Sequence, residues 1–527
     1  MAILVFMLVM LIMGTNLYAA DGPDRDLIRR FKEMVRQKEA QGVDASAAQQ
    51  LNRESIKAAR EGRVDDSIRL LQEAKSALEG NGGREISAGM REAFREPNSP
   101  ASSAFKNFPG GAFDAVSMKS PFGIFGPYQF ILDSNEIMTH EKINVYLADL
   151  GVKWVQEMPM GINNVPPSIN IYSRVGREGG TTPPNVAYDK YKSALRKSIG
   201  RLKDRVKYWE VQTEPGGLPP PKGWKGYEKE YAAFLKETYD VIKSECPDCM
   251  VVLGGAGGIA SGRREDLNAA FVRKILGYGA GEYFDVFSFK MHHYKVADYV
   301  DLKNKMEIYD NIFADYKMAL KKKTVFLETG IYDGDPNYTP GHPLSFIILP
   351  PQTELQQAAG LVKSYVFAIA QGVDRIFWNE VFERHNFGGE KRNPFNYYGL
   401  VNNPLNDGKS YKKLAYYAYK KMVEVLEGSN WKNIVTVQEQ GGVFIYKLNR
   451  QGKTIMVAWN DGAGDPVTSI TGLKPPKVKV TYAVPDMPSG LDVHDYSTSF
   501  KEFVVNTEGN AIKLTLGGKP VYIEEEK

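Results

Sequence analysis

The chain has 527 residues, 43% of them hydrophobic, 25% charged and 11% aromatic, with a formal net charge of +4. That is globular composition at a length that implies two or three domains. The near-balance of charge, with no long basic run, excludes a nucleic-acid footprint.

The first twenty residues stand apart. Ile3 to Met13 is an almost unbroken apolar run, followed by Gly14-Thr-Asn-Leu-Tyr-Ala-Ala20. This predicts a signal peptide over 1–20 and a secreted or periplasmic protein, although no Lys or Arg precedes the run and Tyr18 stands where a small residue is usual. An apolar stretch of this length is too short to cross a bilayer comfortably, so no stable membrane anchor is expected. Residues 24–79 are polar, with apolar positions at helical spacing, as in Val64, Ile68, Leu71, Ala74 and Leu78. They read as a helical hairpin similar to one tetratricopeptide unit. Such units normally stack on neighbours, so this one is either a small appendage or a docking site for a protein partner. Residues 80–119, rich in Gly, Ser, Pro and Ala, read as a linker.

From residue 120 short apolar runs alternate with amphipathic helices. Strands are expected at 122–125, 154–157, 169–172, 208–212, 251–253, 284–289, 325–327 and 375–378, with helices between them. This pattern predicts an α/β fold, a (β/α)8 TIM barrel over 120–428. No Gly-x-Gly-x-x-Gly follows the first strand, and the run Gly254-Gly-Ala-Gly-Gly258 reads as a barrel loop, so no nucleotide or other cofactor is expected. The only cysteines, Cys246 and Cys249, flank Pro-Asp. Zinc needs four ligands, so this pair reads as a disulfide or two thiols at a surface turn. Residues 431–527 show alternating strands with a hairpin signal at 449–453, which predicts a C-terminal antiparallel β-sandwich.

Two strands end in a carboxylate: Val206-Lys-Tyr-Trp-Glu-Val-Gln-Thr-Glu-Pro-Gly216 and Thr324-Val-Phe-Leu-Glu-Thr-Gly330. Alternation places Tyr208, Glu210, Gln212 and Glu214 on one face of the fourth strand, and Thr324, Phe326 and Glu328 on one face of the seventh. The interval between the two glutamates leaves about 38 residues for each of three β/α units, a plausible repeat. Both are expected at the barrel mouth. Such a pair suits glycosidic hydrolysis with retention, where one carboxyl is the acid/base and the other the nucleophile.

Tyr-Trp-Glu-Val-Gln-Thr-Glu-Pro resembles the Trp-Glu-x-x-Asn-Glu-Pro signature of clan A retaining glycoside hydrolases. Phe-Leu-Glu-Thr-Gly is similar to their nucleophile strand, Phe-Asp-Val-Phe-Ser-Phe to the sixth, and Leu-Gly-Val-Lys-Trp-Val to the second. The resemblance covers about residues 120–525. It implies Glu214 as acid/base, Glu328 as nucleophile and an oligo- or polysaccharide substrate; the histidine spacing matches no standard zinc motif, so no metal is expected. Thr213 stands where the clan has an Asn whose amide binds the sugar 2-hydroxyl, and Lys290 stands about where a His is frequent. His292, His293 and Tyr294 follow within four residues, and these, with Thr213, Trp378 as an aromatic floor and Glu157, are the expected substrate contacts. His342 and His385 are also placed near the mouth. The expected protein is an exported retaining hydrolase of a β-linked glycan; the alternatives are a transglycosylase with the same residues or a carbohydrate-binding pseudoenzyme.

Overall fold

The computed structural model describes residues 119–526 except 129–137, 257–266, 319–323, 338–348, 388–390 and 475, together with residues 50, 51, 54, 70, 73 and 74. The expected signal peptide and, apart from Lys119, the linker lie outside the described residues, as does most of the helical hairpin. The chain divides into two units, Met1–Ala112 and Phe113–Lys527. In the first, the described residues are helical, and Leu51, Leu70 and Ala74 are buried.

The second unit begins with a closed barrel of eight parallel strands in sequential order. These are β1 (Phe122–Phe125), β2 (Trp154–Glu157), β3 (Asn170–Val175), β4 (Val206–Val211), β5 (Met250–Ala256), β6 (Val286–His293), β7 (Thr324–Ile331) and β8 (Arg375–Trp378). Helices α1 (His140–Asp149), α2 (Tyr188–Leu202), α3 (Glu228–Glu245), α4 (Leu267–Gly277), α5 (Asp301–Asp315), α6 (Glu354–Ala370) and α7 (Leu414–Leu426) follow the strands, except β2, which is followed by the single 3-10 turn Ile162–Asn164. The TIM barrel read from the alternating pattern is therefore present.

Strand parity sorts the side chains. Phe125, Trp154, Tyr172, Tyr208, Val252, Val286, Phe326 and Phe377, one from each strand, pack together inside the barrel. Their chain neighbours, such as Ile124, Val155, Trp209, Leu253, Phe287, Leu327 and Trp378, face outward into the main core beneath the helices. Capping fixes helix starts: Thr353 accepts from the Gln356 N–H at the start of α6, and the Gln356 side chain bonds back to the Thr353 N–H. Cys246 and Cys249 form a disulfide at the α3–β5 turn, and both residues are buried rather than on the surface.

The C-terminal part contains a six-stranded antiparallel sheet, in the order β14 (Glu502–Asn506), β13 (Lys477–Tyr482), β16 (Val521–Glu525), β11 (Lys453–Asn460), β10 (Val443–Arg450) and β9 (Val435–Gln440), and a two-stranded sheet of β12 (Val467–Thr471) and β15 (Ala511–Thr515). Edge strand β9 (Val435–Gln440) and β12 were not expected from the sequence. Val443, Ile445, Met456, Ile470, Val480, Ile512 and Ile523 fill the space between the sheets. Trp459 Nε1 donates to the Tyr299 hydroxyl at 2.8 Å, and Tyr299 and Lys363 both reach Asp461, which ties this layer to the barrel helices. Among the described residues no helix is long and apolar enough to cross a membrane.

Candidate active site

Above the aromatic layer, toward the C-terminal strand ends, the inward positions turn polar. Arg174 on β3, Glu210 on β4, Lys290 on β6 and Glu328 on β7 project there, each two residues beyond an inward aromatic or small side chain. Lys290 and Glu328 are register partners on adjacent strands. Their charged groups meet at 2.7 Å, with Lys290 10% and Glu328 9% exposed. Burial alone would push the Glu328 carboxyl up; Lys290, His292 and Arg174 outweigh it and hold the group down at about 2. Glu328 Oε1 also accepts from Asn379 Nδ2 at 3.2 Å and faces His292 Nε2 at 3.5 Å.

Glu214 arrives differently. The ladder of β4 ends at Val211, and the backbone then takes left-handed conformations at Gln212 (φ 59°) and Glu214 (φ 48°). Gln212 leaves the inward face: its Nε2 donates to the Gly176 carbonyl at 2.6 Å, and its Oε1 accepts from Trp224 Nε1 at 2.5 Å. The expected common face therefore holds for Tyr208 and Glu210 and fails at Gln212. A positive φ is costly for a residue with a Cβ, and such residues cluster where geometry serves function. The Glu214 N–H donates to the Gly255 carbonyl at 3.1 Å. Its carboxyl is 48% exposed, and Oε1 lies 4.0 Å from Lys290 Nζ. One ammonium thus stands between the two carboxylates. The two contact distances bound the separation of Glu214 Oε1 and Glu328 Oε2 at about 6.7 Å, which admits the 5–5.5 Å of a retaining pair and lies at the lower edge of the roughly 6.5–9.5 Å of an inverting one.

Glu210 is the carboxylate fully enclosed by the barrel. It accepts from Arg174 Nε at 3.0 Å, from Gln156 Nε2 at 3.3 Å and from the Gly255 N–H at 2.9 Å. Three such donors leave it little free acceptor capacity, so its role is to hold Arg174. Arg174 and Lys290 both lie over the Phe125 ring, at 5.0 and 4.9 Å.

Against solved structures, the chain is similar to a family 39 glycoside hydrolase from Bacteroides cellulosilyticus WH2, with TM-score 0.53 and 15% identity over 78% of this chain and 82% of that one. It is also similar to a family 51 alpha-L-arabinofuranosidase from Bifidobacterium longum, with TM-score 0.50 and 10% identity over 77% of this chain and 95% of that one. No protein-family model and no curated protein matches the chain. The chain has the fold of the clan A glycoside hydrolases.

Within the clan A fold the other expected site residues are distributed unevenly. His292 shares the inward face with Lys290, stacks edge-on against Phe395 at 5.0 Å, and has a buried Nδ1 without a partner. His293 points the other way, into the barrel wall, with Nε2 3.0 Å from Thr329 Oγ1; burial holds its imidazole down at about 3, so it is neutral. Tyr294 packs with Tyr332, Leu349 and Tyr398 beyond the end of β6. Trp378 is fully buried on the outward face, its Nε1 donating to the Tyr398 carbonyl at 3.3 Å, and so does not line a sugar site. The next residue, Asn379, takes the inward position instead. Glu157 is also outward, accepting from the Tyr128 and Met158 N–H groups at 3.1 and 2.8 Å. Thr213 is half-buried, and its hydroxyl oxygen is buried without a hydrogen-bond partner. His385 bonds Asn406 in the loop after β8, and His342 lies outside the described residues.

Sequence reasoning missed Arg174, Asn379 and Arg384. Strand parity carried a signal for the first two: a charged residue two places after Tyr172 and an amide two places after Phe377 both fall on the inward face. Arg384 sits in an irregular loop and had no such signal.

Proposed function

We propose that the protein is an exported glycoside hydrolase that cleaves a β-glycosidic bond by double displacement, with Glu328 as nucleophile and Glu214 as acid/base. The observation that carries this is the pairing of a buried, ionised carboxylate with an exposed one across a single cation, at a spacing compatible with retention.

In the first step a Glu328 oxygen attacks the anomeric carbon, the glycosidic C–O bond breaks, and the leaving oxygen takes the proton of Glu214. In the second, Glu214 removes a proton from water, the water oxygen attacks the anomeric carbon, and the ester to Glu328 is cleaved. The charges around Glu328 keep it ionised and therefore nucleophilic. Asn379 orients it. Phe395, whose ring packs edge-on against His292 at 5.0 Å, supplies an apolar face for a sugar ring. Export rests on the apolar run before Ala20, and the helical segment 24–79 is left for a protein partner.

Hydrolysis of a panel of aryl β-glycosides tests the reading. Glu214→Gln and Glu328→Gln are expected to lower kcat by at least about a thousandfold, and proton NMR of the first-formed sugar is expected to show the retained anomer. Undiminished activity in either variant overturns the residue assignment. The buried Thr213 hydroxyl favours one other reading, a sugar-binding protein without turnover; calorimetric binding of oligosaccharides that the parent never cleaves would establish it.

A further inference from the structure

Lys290 occupies an unusual position for a lysine. Its ammonium is buried, touches Glu328 and faces Glu214 across a gap wider than a hydrogen bond. The other charged groups around it are already committed: Glu210 to Arg174, and Arg174 to Glu210 and the Phe125 ring. His292 faces Glu328 through Nε2. Among the described residues, Lys290 is thus the cation placed to serve either candidate catalytic carboxylate.

The double displacement proposed above moves one negative charge from one carboxylate to the other. Before the first step Glu328 is ionised and Glu214 carries its proton. After it Glu328 is a neutral glycosyl ester, and Glu214, having given its proton to the leaving oxygen, is the carboxylate. The net charge of the site is unchanged, but its location has crossed from one side of Lys290 to the other. We propose that Lys290 is a counter-ion that changes partner during the reaction, pairing with Glu328 in the free enzyme and with Glu214 in the glycosyl-enzyme. The inference rests on the double-displacement reading.

The side chain suits this task. An ammonium is a compact charge on a flexible stem with three rotatable donors, whereas a guanidinium presents a rigid fork. The stem runs beside Gly255, where an added Cβ would meet Lys290 Cγ and Cε at 3.4 Å, and Nζ lies over the Phe125 ring at 4.9 Å. The head can therefore swing with its base held. In a buried site an ion that loses its partner is costly, so the charge lost on Glu328 drives the ammonium toward the new carboxylate.

A crystal structure of Glu328→Gln provides the test without requiring turnover, because the amide removes the charge and keeps the shape. Lys290 Nζ is expected within about 3 Å of Glu214 Oε1, the range of a charge-assisted bond. In Glu214→Gln it is expected to stay on Glu328. A Lys290 that remains against the substituted amide in Glu328→Gln, or turns to Glu210, overturns the proposal. The parent trapped as a 2-fluoroglycosyl ester on Glu328 should show the same movement. Lys290→Met is expected to move the acid limb of kcat/KM upward by at least about one pH unit, since Glu328 loses its cation; an unmoved limb also counts against Lys290 as counter-ion. If the parent neither hydrolyses aryl glycosides nor forms the adduct, the glycosidase reading fails. If it does both while Lys290 stays fixed in Glu328→Gln, only the counter-ion exchange fails.

Discussion

A Cβ on Gly254 would stand 1.7 Å from the carbonyl oxygen of Gln212. No side chain fits there, and the obstacle is backbone, so it cannot rotate away. The close approach lies where β5 shifts register against β6, between Leu253 and Ala256, and where β4 turns left-handed toward Glu214. Gly254→Ala should therefore displace the segment that carries Glu214. Overpacking of this kind costs roughly 1–3 kcal/mol or more. The expected outcome is a lowered Tm together with a loss of hydrolysis far larger than the stability change explains at assay temperature. Parent-like kcat in a folded Gly254→Ala protein would show that this approach does not set the Glu214 geometry.

Asn379 is oriented from behind. Arg384 donates from an Nη atom to Asn379 Oδ1 at 3.0 Å, which leaves the Asn379 amide nitrogen to face Glu328 Oε1. Arg384 is itself held by the buried Glu380 carboxylate and lies over the Phe387 ring. Arg384→Met frees the amide to flip, presenting an oxygen to an anionic carboxylate. We expect kcat to fall about tenfold, about 1.4 kcal/mol of transition-state stabilisation, with KM nearly unchanged. A change confined to KM would instead place Arg384 in substrate binding.

Barrel and strand ends were legible because inward and outward residues alternate in parallel strands with few exceptions, and because each strand carries a Val, Ile, Phe or Trp that must be buried. Glu328 obeys that alternation, so its position could be read from Phe326. Glu214 does not. Its place depends on two left-handed residues and on glycines in the neighbouring strand, a long-range fit that no local pattern encodes. The run at Gly254 looked like a loop for the same reason: its glycines answer to β4 rather than to their own neighbours. Trp378 and His293 were assigned to the mouth by resemblance and proximity, and parity would have turned both outward. Edge strand β9 escaped notice because its Val435, Thr436 and Val437 are all exposed, which removes the apolar alternation that marks a strand.

Lys413, at the start of α7, is buried between Asp333 Oδ1 at 2.6 Å and Glu383 Oε1 at 2.7 Å, and also donates to the Tyr397 carbonyl at 3.1 Å. These partners belong to the segments following β7 and β8, so one ammonium fastens both to the barrel. Removing it leaves two buried carboxylates without the ammonium that bridges them. Lys413→Met should destabilise the protein by about 3–5 kcal/mol in denaturant unfolding. Adding Asp333→Asn and Glu383→Gln should recover part of that loss. A Lys413→Met protein as stable as the parent would mean that water or a rearranged loop neutralises the pair.

Glu157 makes stability depend on pH. Burial pushes its carboxyl up to about 7, against the N–H bonds from Met158 and Tyr128 and the field of Arg174. The unfolded chain ionises this group near the ordinary glutamate value of 4.5, while the folded chain keeps the proton to about 7. Between those values the folded state binds more protons, so stability falls as pH rises through that window. The contribution present below the unfolded value and lost by pH 7 is about 3 kcal/mol at 1.36 kcal/mol per pH unit. Glu380, pushed up to about 7 by burial against the pull of Arg384, acts in the same direction. The parent alone therefore cannot isolate Glu157, but the difference between parent and Glu157→Gln can. Between about pH 5 and pH 7.5, denaturant unfolding should show the parent losing about 2 kcal/mol more than the variant, since part of the change already lies below that interval. Equal losses would mean that Glu157 is ionised in the folded protein at the lower pH, its two backbone N–H bonds then outweighing burial.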